Sequence, residues 1–351
     1  MKASHIIAFL ISLGIGGEMS QTSAHVRYKA IELPSPPGLP QSHVAAINNV
    51  GQIVGFCFPA TPQPKGPKTV STGVCWHRDQ IISLGKDIIV SDINDQGGIV
   101  GQRLTGPRAL AYGVIRPDGF VKLKIDAGVS APFLFSISES GQMAGFYGGA
   151  STIPCLFRNG KIRTLRMPLG WSWGSADAIN AQGDAVGSAA SGPSMSKGNE
   201  ESVLWKGGHF RVIGVLAGCN GSKPKAINKS GEVVGISWKD SNIGYTLLVP
   251  YAWRDGEMRS LDSRLGTKRL SCQPNSINDA GTIVGAVRLG PNDNHACVWD
   301  QGVLIDLNDL TALSPGIVLS NGVAINNSGQ IICDARIDGE WRAFLLTPRH
   351  Y

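Results

Sequence analysis

The sequence predicts an all-β chain of short strands and tight turns, and three observations carry that prediction. Glycine and proline account for 45 and 20 of 351 residues, more helix-breaking residues than a helical protein of this length tolerates. One phrase recurs seven times, with its central isoleucine at 47, 93, 137, 179, 227, 277 and 325. Its period of 42 to 50 residues marks a propeller or a solenoid. After most copies come two more apolar segments, several joined by a turn pair such as Asn159-Gly160, Asp255-Gly256 or Gly207-Gly208, the signal of a two-residue hairpin.

Taken in chain order, the first element is a leader. Lys2 precedes an apolar run from Ile6 to Gly17, and Thr22-Ser23-Ala24 offers a small-residue cleavage site. Residues 1–24 therefore read as a signal peptide, and 25–351 as one domain. The run falls short of the roughly 20 residues that span a bilayer, and no later segment sustains 18 apolar residues. The expectation is a secreted or periplasmic monomer with no transmembrane segment.

Tyr28 to Leu33 (YKAIEL) reads as a lone strand. Seven units of four strands, a to d, follow. Strand a ends at the repeated Ile. Asn48, Asn94, Ser138, Asn180, Asn228, Asn278 and Asn326 then open a type I turn, and a Gly three residues on accepts positive φ. Strand b ends in Gly in six copies (Gly55, Gly101, Gly145, Gly187, Gly235, Gly285), with Cys333 in the seventh. Strand c carries Trp76, Ile115, Phe157, Trp205, Trp253 and Trp299 at matching core positions, and strand d closes the unit. Four strands per 42 to 50 residues make one propeller blade. The seventh unit stops after its third strand, so Tyr28 to Leu33 is expected to complete it. The result is a seven-bladed β-propeller whose last blade is closed by an N-terminal strand and so keeps no open edge there.

Repeats reading INxxGQIVG, followed by an AFLW-like strand and a DG turn, resemble the HAF family of extracellular repeat proteins of bacteria. His295-Ala296-Cys297 and Arg342-Ala343-Phe344 are the nearest copies of the triplet behind that name. The resemblance runs from about Tyr28 to the end. It implies export and a β-repeat fold, and it carries over no activity and no catalytic residues.

Turns a–b and c–d share one end of the ring, so the long b–c and d–a loops share the other, the expected binding face. Three consecutive d–a loops carry Arg166, Lys223, Lys225, Arg264, Lys268 and Arg269 against Asp262, and two b–c loops add Lys65, Lys68, Arg103 and Arg108. Such a rim attracts anions: an acidic glycan, an anionic lipid or an acidic protein surface. Without a ligand it is simply a solvated basic edge. The net charge of +6 is small for a nucleic-acid binder. Trp171 and Trp173 either stack on sugar rings from a loop or are buried between loops. Gly170 to Gly174 matches G-x-S-x-G, but lacks the strand-to-helix setting of a nucleophile elbow.

No metal or cofactor is expected. Histidines 25, 43, 77, 209, 295 and 350 form no HExxH or HxH pair, and no D-x-D-x-D-G loop occurs. The residues entering strand a vary freely between units and should lie near the channel mouth. Among them His43, Asp177, Lys223 and Lys225 make the one constellation able to serve a hydrolase or lyase. The seven cysteines leave at least one unpaired. Cys57 with Cys75 and Cys219 with Cys272 are the expected bridges, and Cys155, Cys297 and Cys333 read as buried. Two readings follow: an exported, non-catalytic binding module with an anion-recognising loop face, and alternatively a propeller-type hydrolase or lyase with its site at the channel mouth.

Overall fold

The computed structural model describes residues 26–349 except 61–70, 107–108, 117–118, 124–131, 150, 192–199, 241–245, 262 and 266–267. The leader, Lys65, Lys68, Arg108 and Asp262 lie outside the described residues. Seven four-stranded antiparallel sheets form a ring, and no helix occurs among the described residues. Their a strands are Gln41–Ile47, Ile88–Ile93, Phe133–Ile137, Trp173–Ile179, Gly221–Ile227, Ser271–Ile277 and Val318–Ile325. Each touches the a strand of the next blade, and the last touches the first. The a strands therefore surround the axis. Blade 7 runs Val318–Ile325, Ile331–Ile337, Glu340–Pro348 and then Tyr28–Glu32, which pairs antiparallel with Glu340–Pro348. The N-terminal strand closes the ring as expected.

The core is divided among the joints. Seven buried clusters each straddle one pair of neighbouring blades, such as Val284 and Ala296 of blade 6 against Leu319, Ile331 and Phe344 of blade 7. The strand-c aromatics Trp76, Phe157, Trp205, Trp253 and Trp299 are all buried there. Trp76 Nε1 donates to the Pro34 carbonyl at 2.7 Å, and Trp205 Nε1 to that of Arg166 at 2.6 Å, so each indole carries its polar edge to a partner.

Every a strand shifts register one residue before the repeated phrase, as between Val44 and Ala46 or Ala176 and Ala178. This β-bulge explains the repeated glycine of strand b. A Cβ on Gly187 would lie 1.8 Å from the Ser175 carbonyl oxygen, and one on Gly145 1.8 Å from that of Phe133. Blade 7, where Cys333 replaces the glycine, places Gly322 directly opposite on strand a.

The repeated Asn does more than start its turn. Its carbonyl accepts the turn bond, as in Gly51 N to Asn48 O at 3.2 Å, while its side-chain Nδ2 reaches the next blade's carbonyl: Asn48 to Asn94, Asn94 to Ser138, Asn180 to Asn228, Asn228 to Asn278, Asn278 to Asn326, and Asn326 back to Asn48. Ser138 has no amide to extend, so the belt lacks its link from blade 3 to blade 4.

The expected disulfides are not formed. Cys57 opposes Thr72 and Cys75 opposes Val54, and the two thiols enter different clusters on opposite sides of the blade. Cys272 is buried in strand a of blade 6, its Sγ near the carbonyls of Ser263 and Leu270, while Cys219 is half-buried elsewhere. Burial pushes the Cys57 thiol up to about 11 and the Cys155 thiol up to about 12, so these are packing groups rather than nucleophiles.

Candidate functional site at the loop-side mouth

The two ends of the channel differ. At the tight-turn end, side chains at the tips are spent on neighbouring backbone amides: Asn49 N donates to Asp95 Oδ1 at 2.7 Å, Asp95 N to Glu139 Oε2 at 3.0 Å, and Lys229 N to Asp279 Oδ1 at 2.9 Å. These carboxylates serve the joints. At the other end the bulged residues Ala45, Ser91, Phe135, Asp177, Lys225, Asn275 and Val323 keep solvent access beside buried neighbours. Because strand a is innermost, the solvent they meet is the channel.

The mouth changes character around the ring. Blade 3 offers aromatic rings: Phe133 stacks on Phe146 with centroids 4.7 Å apart, and Phe135 lies 5.7 Å from Phe146. Blades 4 and 5 form an ionic cluster. Ser175 Oγ donates to Asp177 Oδ1 at 2.6 Å, and Lys223 Nζ lies 3.4 Å from Asp177 Oδ2. That ammonium is in ion-pair reach yet not aligned to donate, which leaves Oδ2 without a hydrogen bond. Beneath them Glu200 is buried and accepts from Ser188 Oγ at 2.6 Å. Burial raises the Glu200 carboxyl above its usual range, opposed by the Ser188 bond and by Lys223. Burial and then the neighbouring Lys223 hold Lys225 below the usual lysine range, opposed by Asp177.

Blades 6, 7 and 1 form a third sector. A cavity of about 410 Å³ is lined by Gln273, Arg288, Asn294, Asn321, Asp334 and Trp341 among others, and a second of about 400 Å³ adjoins it around Arg288, Asp293, Val318, Arg336 and Trp341. His43 of blade 1 stands beside this sector. Its Nδ1 is 3.3 Å from Asp334 Oδ2, and its ring lies 4.7 Å from Trp341.

The structure thus unites Asp177, Lys223 and Lys225 and separates His43 from them. The blade order puts His43 on the far side of the ring, paired with blade 7. Lys223 and Lys225 belong to strand a of blade 5 rather than to a loop. Arg166 and Arg264 are exposed on the rim. Lys268–Arg269 forms a short hairpin with Arg264–Leu265. Trp173 begins strand a of blade 4 and is buried, and Trp171 packs on the blade 3–4 core. Trp173 therefore offers no open stacking face, which corrects the expectation of an exposed aromatic loop at that position.

Arg288 and Arg336 were not singled out by the sequence reading, although a signal existed. Each lies five residues after the first residue of strand b, where the other blades carry Phe58, Leu104, Gly148, Ala190 and Trp238.

No family model and no curated protein matches the chain. Solved structures do. The β-propeller domain of the Trilobed protease from Pyrococcus furiosus, described as having an open velcro topology, is 11% identical with a TM-score of 0.59, over 88% of this chain and 94% of that one. The acylaminoacyl peptidase of Pyrococcus horikoshii is 13% identical with a TM-score of 0.56, over 89% of this chain and 54% of that one, so this chain spans about half of that enzyme's length. A polysaccharide lyase is 9% identical with a TM-score of 0.50, over 90% and 91%. At these identities the likeness concerns the fold, and a propeller fold alone assigns no activity. By fold the chain is a seven-bladed β-propeller.

Proposed function

We propose that the chain is an exported binding module that takes an anionic ligand at the loop-side mouth of its channel. The observation that carries this reading is the contrast between the two mouths. The tight-turn end spends its polar groups on the joints, whereas the loop end keeps cations accessible: Lys223 and Lys225 inside it, Arg166 and Arg264 on its rim. Low-dielectric walls around such a mouth focus positive potential on an approaching anion. The test is calorimetric titration of heparin and polygalacturonate against neutral dextran, repeated at rising salt. The expected result is binding of the polyanions alone, weakening as salt rises. Equal affinity for dextran would overturn the reading.

A hydrolase or lyase reading has its own observation. Glu200 and Lys225 are shifted in opposite directions within one ionic cluster, the arrangement that acid–base chemistry requires. Incubation with polygalacturonate and measurement of reducing ends decides it. Chain cleavage abolished by Lys225→Met supports catalysis, and an intact polymer rejects it.

A further inference from the structure

We propose that the cleft between blades 6 and 7 is a subsite for an acidic saccharide, whose carboxylate or sulfate is gripped by the Arg288 and Arg336 guanidinium groups. The proposal rests on the anion-binding reading above and gives it a place and a ligand class. Both arginines occupy the same offset on strand b of adjacent blades, Ile283–Gly290 and Ile331–Ile337, and both line one cavity. Both are exposed, and neither is paired with a carboxylate among the described residues.

The carboxylates on the cleft walls are engaged elsewhere. Asp334 accepts from Val44 N at 3.1 Å and faces His43, and Asp293 lies 3.3 Å from His295 Nε2. Two cations are thus left facing one space without a counter-ion. Arg336 is also held in position, its Cζ 4.7 Å from the Trp341 ring centroid. Stacking occupies the guanidinium face and leaves its in-plane N–H groups for a bidentate oxyanion, which an ammonium could not match.

The rest of the lining chooses the ligand class. Gln273, Asn292, Asn294, Ser320 and Asn321 provide donors and acceptors suited to sugar hydroxyls. An acyl chain would need an apolar wall instead. The two adjoining cavities fall within the roughly 300 to 1,000 Å³ of ligand sites, and together they form a cleft long enough to extend past a single ring.

The test titrates the full chain with galacturonate oligomers, heparin oligomers, dextran oligomers of matched length and phosphatidylglycerol vesicles, beside Arg288→Ala, Arg336→Ala and Arg336→Lys. Acidic oligomers should bind, and each Arg→Ala change should weaken them about tenfold, the loss of one charge-assisted contact. Arg336→Lys should recover little of that loss. Since both side chains are exposed, the melting temperature should not move, which separates lost binding from lost folding. A preference for galacturonate or for heparin identifies the acid group, and either supports the proposal. Acidic oligomers bound equally by wild type and variants would overturn the cleft while leaving an anion-binding mouth. Binding to the vesicles alone would overturn the saccharide. Binding to no anion at all would overturn both readings.

Discussion

Asp92 shows how a joint between blades is tuned by one side chain. Its carboxyl accepts from Ile93 N at 2.8 Å, Ser136 Oγ at 2.8 Å and Ile137 N at 2.9 Å, tying blade 2 to blade 3. Burial nevertheless dominates and pushes it from 3.8 to about 6. Between those values the folded chain holds a proton that the unfolded chain has released. Stability from this group is therefore full at low pH and is lost as pH rises from 3.8 to about 6. Asp92→Asn removes that slope. Denaturant melts of the two proteins across this range should differ in slope, by on the order of 1–2 kcal/mol in total once partial exposure is discounted. The residue scale also separates what the sequence reveals from what it hides. That Asn48 opens a turn follows from its type and spacing. That its Nδ2 bridges to Asn94 does not, because the two are 46 residues apart and only the ring brings them together. Arg288 and Arg336 were hidden for a similar reason. Each is an ordinary strand-end arginine until adjacent blades place both on one cleft.

At the scale of the element, the bulge and its glycine act together. The bulged strand pushes a carbonyl toward strand b, and only an absent Cβ allows the approach. Gly187→Ala should cost about 2–3 kcal/mol by forcing the two strands apart, while Gly207→Ala, whose added Cβ meets nothing within 4 Å, should pay only for its positive φ of 58°. Thermal melts of the two variants check this, and equal losses would remove the bulge from the explanation. Strand boundaries and the two hairpins of each unit were legible because alternation and turn pairs act locally. Which face of a strand a cysteine takes was not. Cys57 and Cys75 sit three register positions apart and enter separate cores, a fact fixed by pairing register rather than by spacing in the chain.

For the whole molecule, closure by Tyr28–Glu32 is the feature most plainly foreshadowed, since a unit lacking a strand and a strand lacking a unit stood at opposite ends. It also carries a measurable consequence. A chain beginning at Pro34 would expose the edge of Glu340–Pro348 and forfeit the buried Tyr28, a side chain worth about 2 kcal/mol. Light scattering should show that shortened chain associating where the full chain stays monomeric, and a peptide spanning residues 26–33 should reverse the association.

One pair records how such a ring can change over time. In six blades the position opposite the bulged strand is glycine, and in blade 7 that glycine stands across the ladder at Gly322, facing Cys333. Every blade thus keeps one empty side chain in the pair, on either partner. A lineage moving the vacancy from one strand to the other cannot replace the old glycine first, because both partners would then be filled. It must pass through a Gly–Gly ancestor, so the order of the two substitutions in blade 7 is set by volume: strand a lost its side chain before strand b gained the sulfur.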